Sequence, residues 1–329
     1  MSSRTRVLVI VVAAAALAAG ATVALAVITA NDEGGKEGTS KALSGAPPVV
    51  LDLGVRNDPE ARALRRAERL YGRKQRAAAA RLFARYDSAE AQVGAAFAAW
   101  PDDSLARVER LATRYPKSSF VLLHVGYARL WAGESAQAGA AWEEAARVEP
   151  DSAAAQRADD ALHPRFPAGE PFFVPSFAPP RALARLSPPR QLAQLERSAR
   201  GRDVRAKLLY GLALQRLGHR ISARRQYDAA ARLAPGDPEA RVAAAVARFD
   251  KSRPAAAFSR LGPLSRRFPR APTVRFHLGL LLLWLARVQP GAVEEARRQL
   301  RLAGDLAPGS SLAREARRLL RGLEQVQTK

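Results

Sequence analysis

The chain has 329 residues, of which 48% are hydrophobic, and it carries a net charge of +22 with no cysteine. The lack of cysteine excludes disulfides, thiolate metal sites, a cysteine nucleophile and a lipidated cysteine after a signal sequence. Much of the hydrophobic fraction is alanine, and the β-branched and aromatic runs typical of strands are scarce after residue 60. The composition therefore predicts a mostly α-helical protein.

The positive charge comes from arginines that are spread over nearly every predicted helix instead of forming one basic run. This distribution argues against specific nucleic-acid binding. It favours loose affinity for anionic surfaces such as lipid headgroups or cell-envelope polymers, because such affinity needs charge but no particular pattern.

An uncharged apolar segment over residues 7–28 follows an N-terminus that contains Arg4 and Arg6. As a helix this segment would span about 33 Å, enough to cross a hydrocarbon core of about 30 Å. The positive-inside rule then predicts a single-pass protein of the cell membrane, with residues 1–6 in the cytoplasm and the chain after the helix outside.

The alternative for the N-terminus is a cleaved signal peptide and a secreted protein, since Ala24 and Ala26 supply an A-x-A cleavage site. Within residues 29–57, the stretch 31–48 is polar and rich in glycine, serine and proline. Residues 29–57 are predicted to form a flexible tether.

Prolines recur at intervals of 34 residues in the rest of the chain. Pro116 and Pro150 are 34 residues apart, and so are Pro235 and Pro269. Because proline cannot continue a helix but fits its first turn, each proline is expected to close one helical segment and open the next.

The two clearest copies of this repeat span residues 119–152 and 204–237. Each places a small residue in its first helix, a glycine at the turn and a bulky aromatic residue in its second helix. These residues are Gly126, Gly133 and Trp142 in the first copy, and Gly211, Gly218 and Tyr227 in the second. The pattern resembles the tetratricopeptide repeat (TPR) family, as found in bacterial membrane-anchored TPR proteins. The resemblance implies an all-α solenoid of antiparallel helix pairs.

Weaker copies extend the resemblance over most of the chain after residue 57. They are 58–86 and 89–116 upstream, and 238–271 and 272–309 downstream, with 310–325 as a polar-faced capping helix. Pro263 is expected to interrupt the second helix of its copy. We predict N-terminal TPR-like repeats over 58–162 and C-terminal repeats with the capping helix over 186–325.

Residues 163–185 between the two blocks begin with HPRFPAGEPFFVPSFAPP and lie between predicted helices at 153–162 and about 187–200. They are either an insertion that swells one repeat or a linker that joins two blocks. Proline holds such a stretch extended at low entropic cost. We expect it to pack against the protein's own helices, with the binding groove described below as one place for it. The side chains expected to be buried are Phe166, Phe172, Phe173 and Phe177.

Catalytic and metal-binding patterns are missing from the sequence. The four histidines are far apart, and none has metal-ligand spacing to a carboxylate or a second histidine. His124 and His277 are expected to lie on helix surfaces or to be partly packed. No nucleotide-binding glycine loop or nucleophile elbow occurs. We therefore predict a protein that is not an enzyme and has no cofactor and no metal site.

The TPR resemblance implies a binding groove, because in that family the first helices of successive units line a concave face that contacts the ligand. Carried onto this sequence, the groove is largely apolar, with Arg205, Gln215 and Arg216 as polar exceptions. The groove residues are Phe120, Leu123, Tyr127, Leu130, Trp131, Leu208, Leu212, Arg216, Val242, Val246, Phe249, Phe276, Leu280, Leu283 and Trp284. An exposed apolar groove of this size is expected to be filled, either by a protein partner or by the chain itself.

These observations predict a scaffold or assembly factor, anchored in the cytoplasmic membrane by residues 7–28, that binds an apolar peptide or helix of an unidentified protein. Two alternatives stay open. One is a basic module that binds anionic cell-envelope polymers or lipid headgroups, and the other is a maturation factor for an envelope enzyme.

Overall fold

The computed structural model describes residues 42–286 and 288–327, with side chains as far as residue 324. Over these residues the chain forms fifteen α-helices, one short 3-10 helix and no strand, which confirms the predicted all-α class. None of the described helices is both long enough and apolar enough to cross a membrane. The predicted cytoplasmic residues 1–6 and membrane helix 7–28 lie outside the described residues, as do residues 29–41 of the predicted tether.

The described chain divides into two compact units, with the boundary after Pro164. The N-terminal unit holds three successive helix pairs and a closing helix. Its helices are α1 Pro59–Gly72, α2 Arg76–Phe83, α3 Ala89–Ala98, α4 Ser104–Arg114, α5 Ser119–Trp131, α6 Ser135–Val148 and α7 Ala153–Leu162.

The C-terminal unit begins with the proline- and phenylalanine-rich stretch and the 3-10 helix Arg181–Arg185, and then holds one leading helix, three helix pairs and a closing helix. Its helices are α8 Pro188–Ala199, α9 Val204–Arg216, α10 Arg220–Leu233, α11 Pro238–Val246, α12 Ala255–Arg267, α13 Pro272–Leu285, α14 Ala292–Leu306 and α15 Ser311–Gln327. Consecutive helices joined by short turns pack against each other within each pair.

Local sequence explains where many of these helices begin. The Ser118 hydroxyl accepts a hydrogen bond from the amide of Val121 at the start of α5, and Asp203 does the same for Ala206 in α9. Side chains of this kind satisfy amides that have no partner within the helix. The repeating prolines and caps thus divide an alanine- and arginine-rich sequence into discrete helices.

In three of the helix pairs, α5/α6, α9/α10 and α13/α14, a glycine faces a bulky side chain of the second helix and lets the two helices approach closely. A Cβ atom at Gly211 would lie 2.6 Å from the ring of Tyr227, and one at Gly126 would overlap the indole of Trp142. Both pairs are 16 residues apart in sequence. The indole Nε1 of Trp142 also donates a hydrogen bond to the Leu123 carbonyl, at 3.2 Å. The 34-residue sequence pattern therefore corresponds to a repeated contact between helices.

The last pair uses the same contact with a longer turn. Gly279 faces Leu300, and these residues are 21 apart because extra residues around Gln289 and Gly291 lengthen the connection between α13 and α14. The expectation for Pro263 was wrong, since α12 runs through it from Ala255 to Arg267. Pro263 is exposed, so the carbonyl that it leaves without an amide partner lies on the solvent side of the helix.

Replacing Gly126 with alanine should destabilise the N-terminal unit by about 1–3 kcal/mol, because the added methyl group overlaps the Trp142 ring. The matched control is Gly139→Ala in α6, where a Cβ atom meets nothing within 4 Å. This control should be neutral or stabilising by about 0.5–1 kcal/mol. Urea unfolding followed by tryptophan fluorescence measures both variants. Equal unfolding midpoints for the two variants would contradict this account of the helix pairs.

Candidate functional site

Two extended stretches, one in each unit, share the pattern Gly-x-Pro-x-x-Val. In the N-terminal unit it is GAPPVV at 45–50, and in the C-terminal unit it is GEPFFV at 169–174. Both glycines have positive φ, 85° and 84°. We call residues 43–53 the first segment and residues 166–177 the second segment.

The first segment is bound to the helices of its unit through a buried histidine. The backbone amide of Val50 donates a hydrogen bond to Nε2 of His124 in α5, at 3.2 Å. On the other side of the ring, Nδ1 donates to the carbonyl of Phe120, at 2.8 Å. Because Nδ1 carries the proton, Nε2 is free to accept the amide of the segment.

Two side chains of α1 complete the polar contacts of the first segment. The Leu51 amide donates to Oε1 of Glu68 at 3.0 Å, and the Tyr71 hydroxyl donates to the Pro47 carbonyl at 2.6 Å. The apolar side chains of the segment are buried in the core of the unit. They are Val49, Val50, Leu51 and Leu53.

This arrangement differs from the flexible tether predicted over residues 29–57. Within its described part, residues 43–53 pack against helices of the N-terminal unit instead of extending into solvent. The run PPVVLDL at 47–53 carries enough apolar surface to be buried, which the polar residues before it do not.

The second segment repeats the histidine contact in the C-terminal unit. The Val174 amide donates a hydrogen bond to Nε2 of His277 in α13, at 2.9 Å. Nδ1 of the same ring donates to the carbonyl of Thr273, at 2.7 Å. The histidine, its partner one helical turn earlier and the valine amide thus have the same geometry in both units.

The side chain of Gln215 in α9 both donates a hydrogen bond to the backbone of the second segment and accepts one from it. Its Nε2 donates to the Pro171 carbonyl at 3.0 Å, and its Oε1 accepts from the Phe173 amide at 3.4 Å and from the Tyr227 hydroxyl at 3.2 Å. The carbonyl of the motif proline therefore accepts a side-chain hydrogen bond in each unit.

Phe173 is the apolar anchor of the second segment. Its side chain is 0% exposed, lies 5.4 Å from the His277 ring in a stacked arrangement, and meets the Tyr227 ring edge-on at 5.7 Å. Phe166 contacts Phe249 edge-on, with ring centroids 6.2 Å apart.

The other two phenylalanines of the segment lie beside arginines. The guanidinium of Arg205 is 5.2 Å from the centroid of Phe177, and that of Arg216 is 6.0 Å from the centroid of Phe172. Phe172 and Phe177 are half-buried. Burial lowers the pKa of Arg216 to about 10, and no carboxylate lies close enough to offset the lost hydration.

The predicted groove residues are largely buried in the structure. Eleven of them are buried, and Arg216, Leu280, Leu283 and Trp284 are half-buried. The five from α5 belong to the same core as the first segment, and most of the others belong to cores that include residues of the second. Over the described residues, the side chains predicted to line an exposed apolar groove are therefore mostly buried in the protein's own cores.

The expectation for His124 and His277 as surface or partly packed residues was wrong, because both rings are fully buried. The sequence did contain a signal for them. Each histidine stands two residues before a glycine that faces the second helix of its pair, in His124-Val125-Gly126 and His277-Leu278-Gly279. Spacing to metal ligands does not reveal such a role, since the partner of each ring is a backbone amide.

Burial also sets the charge of these rings. It lowers the pKa of His124 and of His277 to about 4 in each case, so both are neutral at physiological pH. The described residues contain no group of three or more histidine, aspartate or glutamate side chains placed to hold a metal ion. The site is thus suited to binding an extended backbone.

A scan of the chain against protein-family models gave no match, and a search of curated protein sequences gave none either.

Acidification should release both segments. Below about pH 6.5 the unfolded chain protonates its histidines, whereas the folded chain resists protonation until about pH 4, so stability falls as the pH drops through this window. We expect a loss of roughly 1–3 kcal/mol per histidine. Thermal unfolding midpoints between pH 7 and pH 4 measure it.

The matched variants are His124→Gln and His277→Gln, which keep an acceptor that does not titrate. Burial raises the pKa of Glu68 and of Glu239, so these carboxyl groups contribute with the opposite sign and are present in every variant. A pH dependence that is the same in the wild type and in both glutamine variants would contradict the role assigned to the histidines.

Proposed function

We propose that this protein is a non-enzymatic scaffold of the TPR type that binds extended segments of other polypeptides. The observation that carries the proposal is the paired arrangement of groove and segment. Each unit holds a Gly-x-Pro-x-x-Val stretch through main-chain hydrogen bonds to side chains. Contacts of this kind recognise an extended backbone, and apolar positions between them add selectivity.

The glycine–aromatic contacts within the helix pairs of the two 34-residue copies, 119–152 and 204–237, support the assignment to the TPR type. They also support the view that the helix pairs form a solenoid. In this proposal the groove residues from Phe120 to Trp284 are the floor on which an extended segment lies. The first and second segments are then examples, within the chain itself, of the kind of extended segment that the protein binds.

The C-terminal unit is the better candidate for exchange with a partner. The first segment buries Val49, Val50, Leu51 and Leu53, whereas the second segment leaves Ser176 exposed and Val174 only half-buried. A partner segment with the same pattern would replace residues 170–177 and give its valine amide to His277. The partner segment competes with residues 170–177 for the same contacts, so the partner has to be abundant or held near this protein.

For location, we propose that residues 7–28 anchor the chain in the cytoplasmic membrane with both helical units outside the cytoplasm. Support comes from the length of the apolar run and from Arg4 and Arg6 before it. Cleavage of the helical units by protease added to intact spheroplasts is the result expected for this orientation, and complete protection is the result that would exclude it.

A second candidate function is binding of anionic envelope polymers or lipid headgroups through the basic surface. The net charge of +22 favours it. Such binding depends on screened surface charge and is expected to disappear as salt rises to roughly 0.5 M. Binding of a segment in the groove relies on buried contacts and should persist at that salt concentration.

A labelled peptide with the sequence of residues 168–178, AGEPFFVPSFA, tests the groove in solution. The full-length Phe173→Ala variant has a weakened resident segment, so it should bind this peptide at least about tenfold more tightly than the wild type does. The control peptide AGEPFFPPSFA lacks the amide that His277 accepts. It should bind at least about tenfold more weakly, since a buried acceptor then loses its donor.

Fluorescence anisotropy in a neutral detergent measures both peptides. Equal binding of the two peptides, or no binding to the Phe173→Ala variant, would contradict a groove that recognises extended segments.

A further inference from the structure

The C-terminal unit contains a surface cavity of about 680 Å³ that is open to solvent, is bordered by α10, α11 and α12, and shares no residue with the groove. Its walls are unusual in composition, because five of the lining residues are arginines. They are Arg232, Arg241, Arg248, Arg260 and Arg267. None of the lining residues forms one of the described hydrogen bonds or ring contacts with the second segment, so the cavity is separate from the candidate peptide site.

A single carboxylate faces these five guanidinium groups. It belongs to Asp228, and it is already bound by Arg248 through two hydrogen bonds of 2.8 and 3.2 Å. Arg267 has no acidic partner; it makes a long contact of 3.5 Å to the Pro235 carbonyl, and its guanidinium lies 5.3 Å from the centroid of the Phe268 ring. Over the described residues, the other three arginines form no ion pair. The cavity therefore carries four positive charges without an acidic partner.

Some arginines elsewhere in the same unit form ion pairs, whereas others, such as the exposed Arg301 and Arg321, form none over the described residues. Arg298 is paired with Glu295 at 2.8 Å, Arg318 with Glu315, and Arg200 with Glu196 at 3.1 Å, all one turn apart on a helix. What distinguishes the cavity is therefore the grouping of five arginines around one carboxylate. Like charges gathered in one place repel each other, and an anion removes that repulsion.

We propose that this cavity binds a ligand that carries several phosphate groups. Guanidinium groups form paired hydrogen bonds with phosphate oxygens and stay charged at any physiological pH. A phosphate monoester carries about −1.5 to −2 charges at pH 7, so two or three phosphates balance four arginines within a small volume. Four separate carboxylates would need a larger carbon frame to reach the same charge.

The shape of the cavity agrees with a ligand of this size. Its volume lies within the range of roughly 300–1,000 Å³ that is typical of small-molecule sites. Ala231, Ala244, Leu264 and Pro263 supply apolar wall between the arginines, which suits an organic part attached to the phosphates. The ligand can be a free oligophosphate or a stretch of a phosphodiester polymer, since both present charged phosphate oxygens to the guanidinium groups.

Calorimetric titration of the full-length protein with inorganic tripolyphosphate, in a neutral detergent, tests the proposal. The double variant Arg241→Gln/Arg260→Gln removes two charges from the cavity. The matched control, Arg301→Gln/Arg321→Gln, removes two exposed and unpaired arginines of α14 and α15 from the same unit. We expect the control to bind like the wild type and the cavity variant to bind at least about tenfold more weakly.

A second cavity variant, Arg232→Gln/Arg267→Gln, should lose affinity for tripolyphosphate to a similar extent. It shows whether the loss in the first cavity variant comes from the removed charges or from a local folding defect. A glycerol-phosphate oligomer with three phosphates distinguishes the two sources of the ligand. Tighter binding of the oligomer points to a phosphodiester polymer, and tighter binding of tripolyphosphate points to a free oligophosphate. Whichever of the two ligands binds more tightly, the result supports the site if that binding is weakened in the cavity variants.

Three outcomes would overturn the proposal. They are the absence of tripolyphosphate binding to the wild type, an equal loss of affinity in the cavity and control variants, and equally tight binding of citrate, which carries carboxylates only. None of these outcomes bears on the peptide groove, because no cavity residue belongs to it.

Discussion

The hydrogen bond from a backbone amide to a buried histidine is the interaction on which both helical units depend. An extended segment laid on helices has no neighbouring strand to accept its amides, and a buried amide without a partner costs roughly 1–3 kcal/mol. His124 and His277 remove that cost for Val50 and Val174. Each ring is held by its Nδ1 proton, which binds a carbonyl one turn earlier, so Nε2 faces the segment.

The two units bind their segments through equivalent hydrogen bonds, although some of the residues that form them differ. In the first segment, Leu51 still has an amide, and Glu68 accepts it. At the matching place the second segment has Pro175, which has no amide, and the next donor is the Ser176 amide, which binds Glu239. A side chain donates to the motif proline carbonyl in both cases, from Tyr71 in one unit and from Gln215 in the other. In both units, side chains of the helices thus bind the main chain of an extended segment.

The helices could be predicted from the sequence more easily than the packing of the two segments. Proline spacing and serine or aspartate caps act locally, so helix positions such as Ala153–Leu162 could be predicted well. Four phenylalanines among prolines at 163–180 likewise indicated a stretch with surface to bury, and Phe173 is fully buried. The contacts of His124 and His277 reach 74 and 103 residues along the chain, and no local pattern encodes such a distance. The apolar face of the repeats was recognised, but its filling by residues 43–53 could not be deduced from one-dimensional periodicity.

Hydrogen exchange at individual backbone amides tests the central claim most directly. Heteronuclear NMR of the full-length protein at pH 7 can follow the amides of Val50 and Val174, with the exposed Gly54 as an internal reference for an amide outside the groove. The account predicts that both valine amides exchange as slowly as amides in the middle of α5 and α13, and that His124→Ala and His277→Ala each accelerate only the amide of the same unit. Exchange of Val50 and Val174 at the rate of an unstructured peptide would contradict the account.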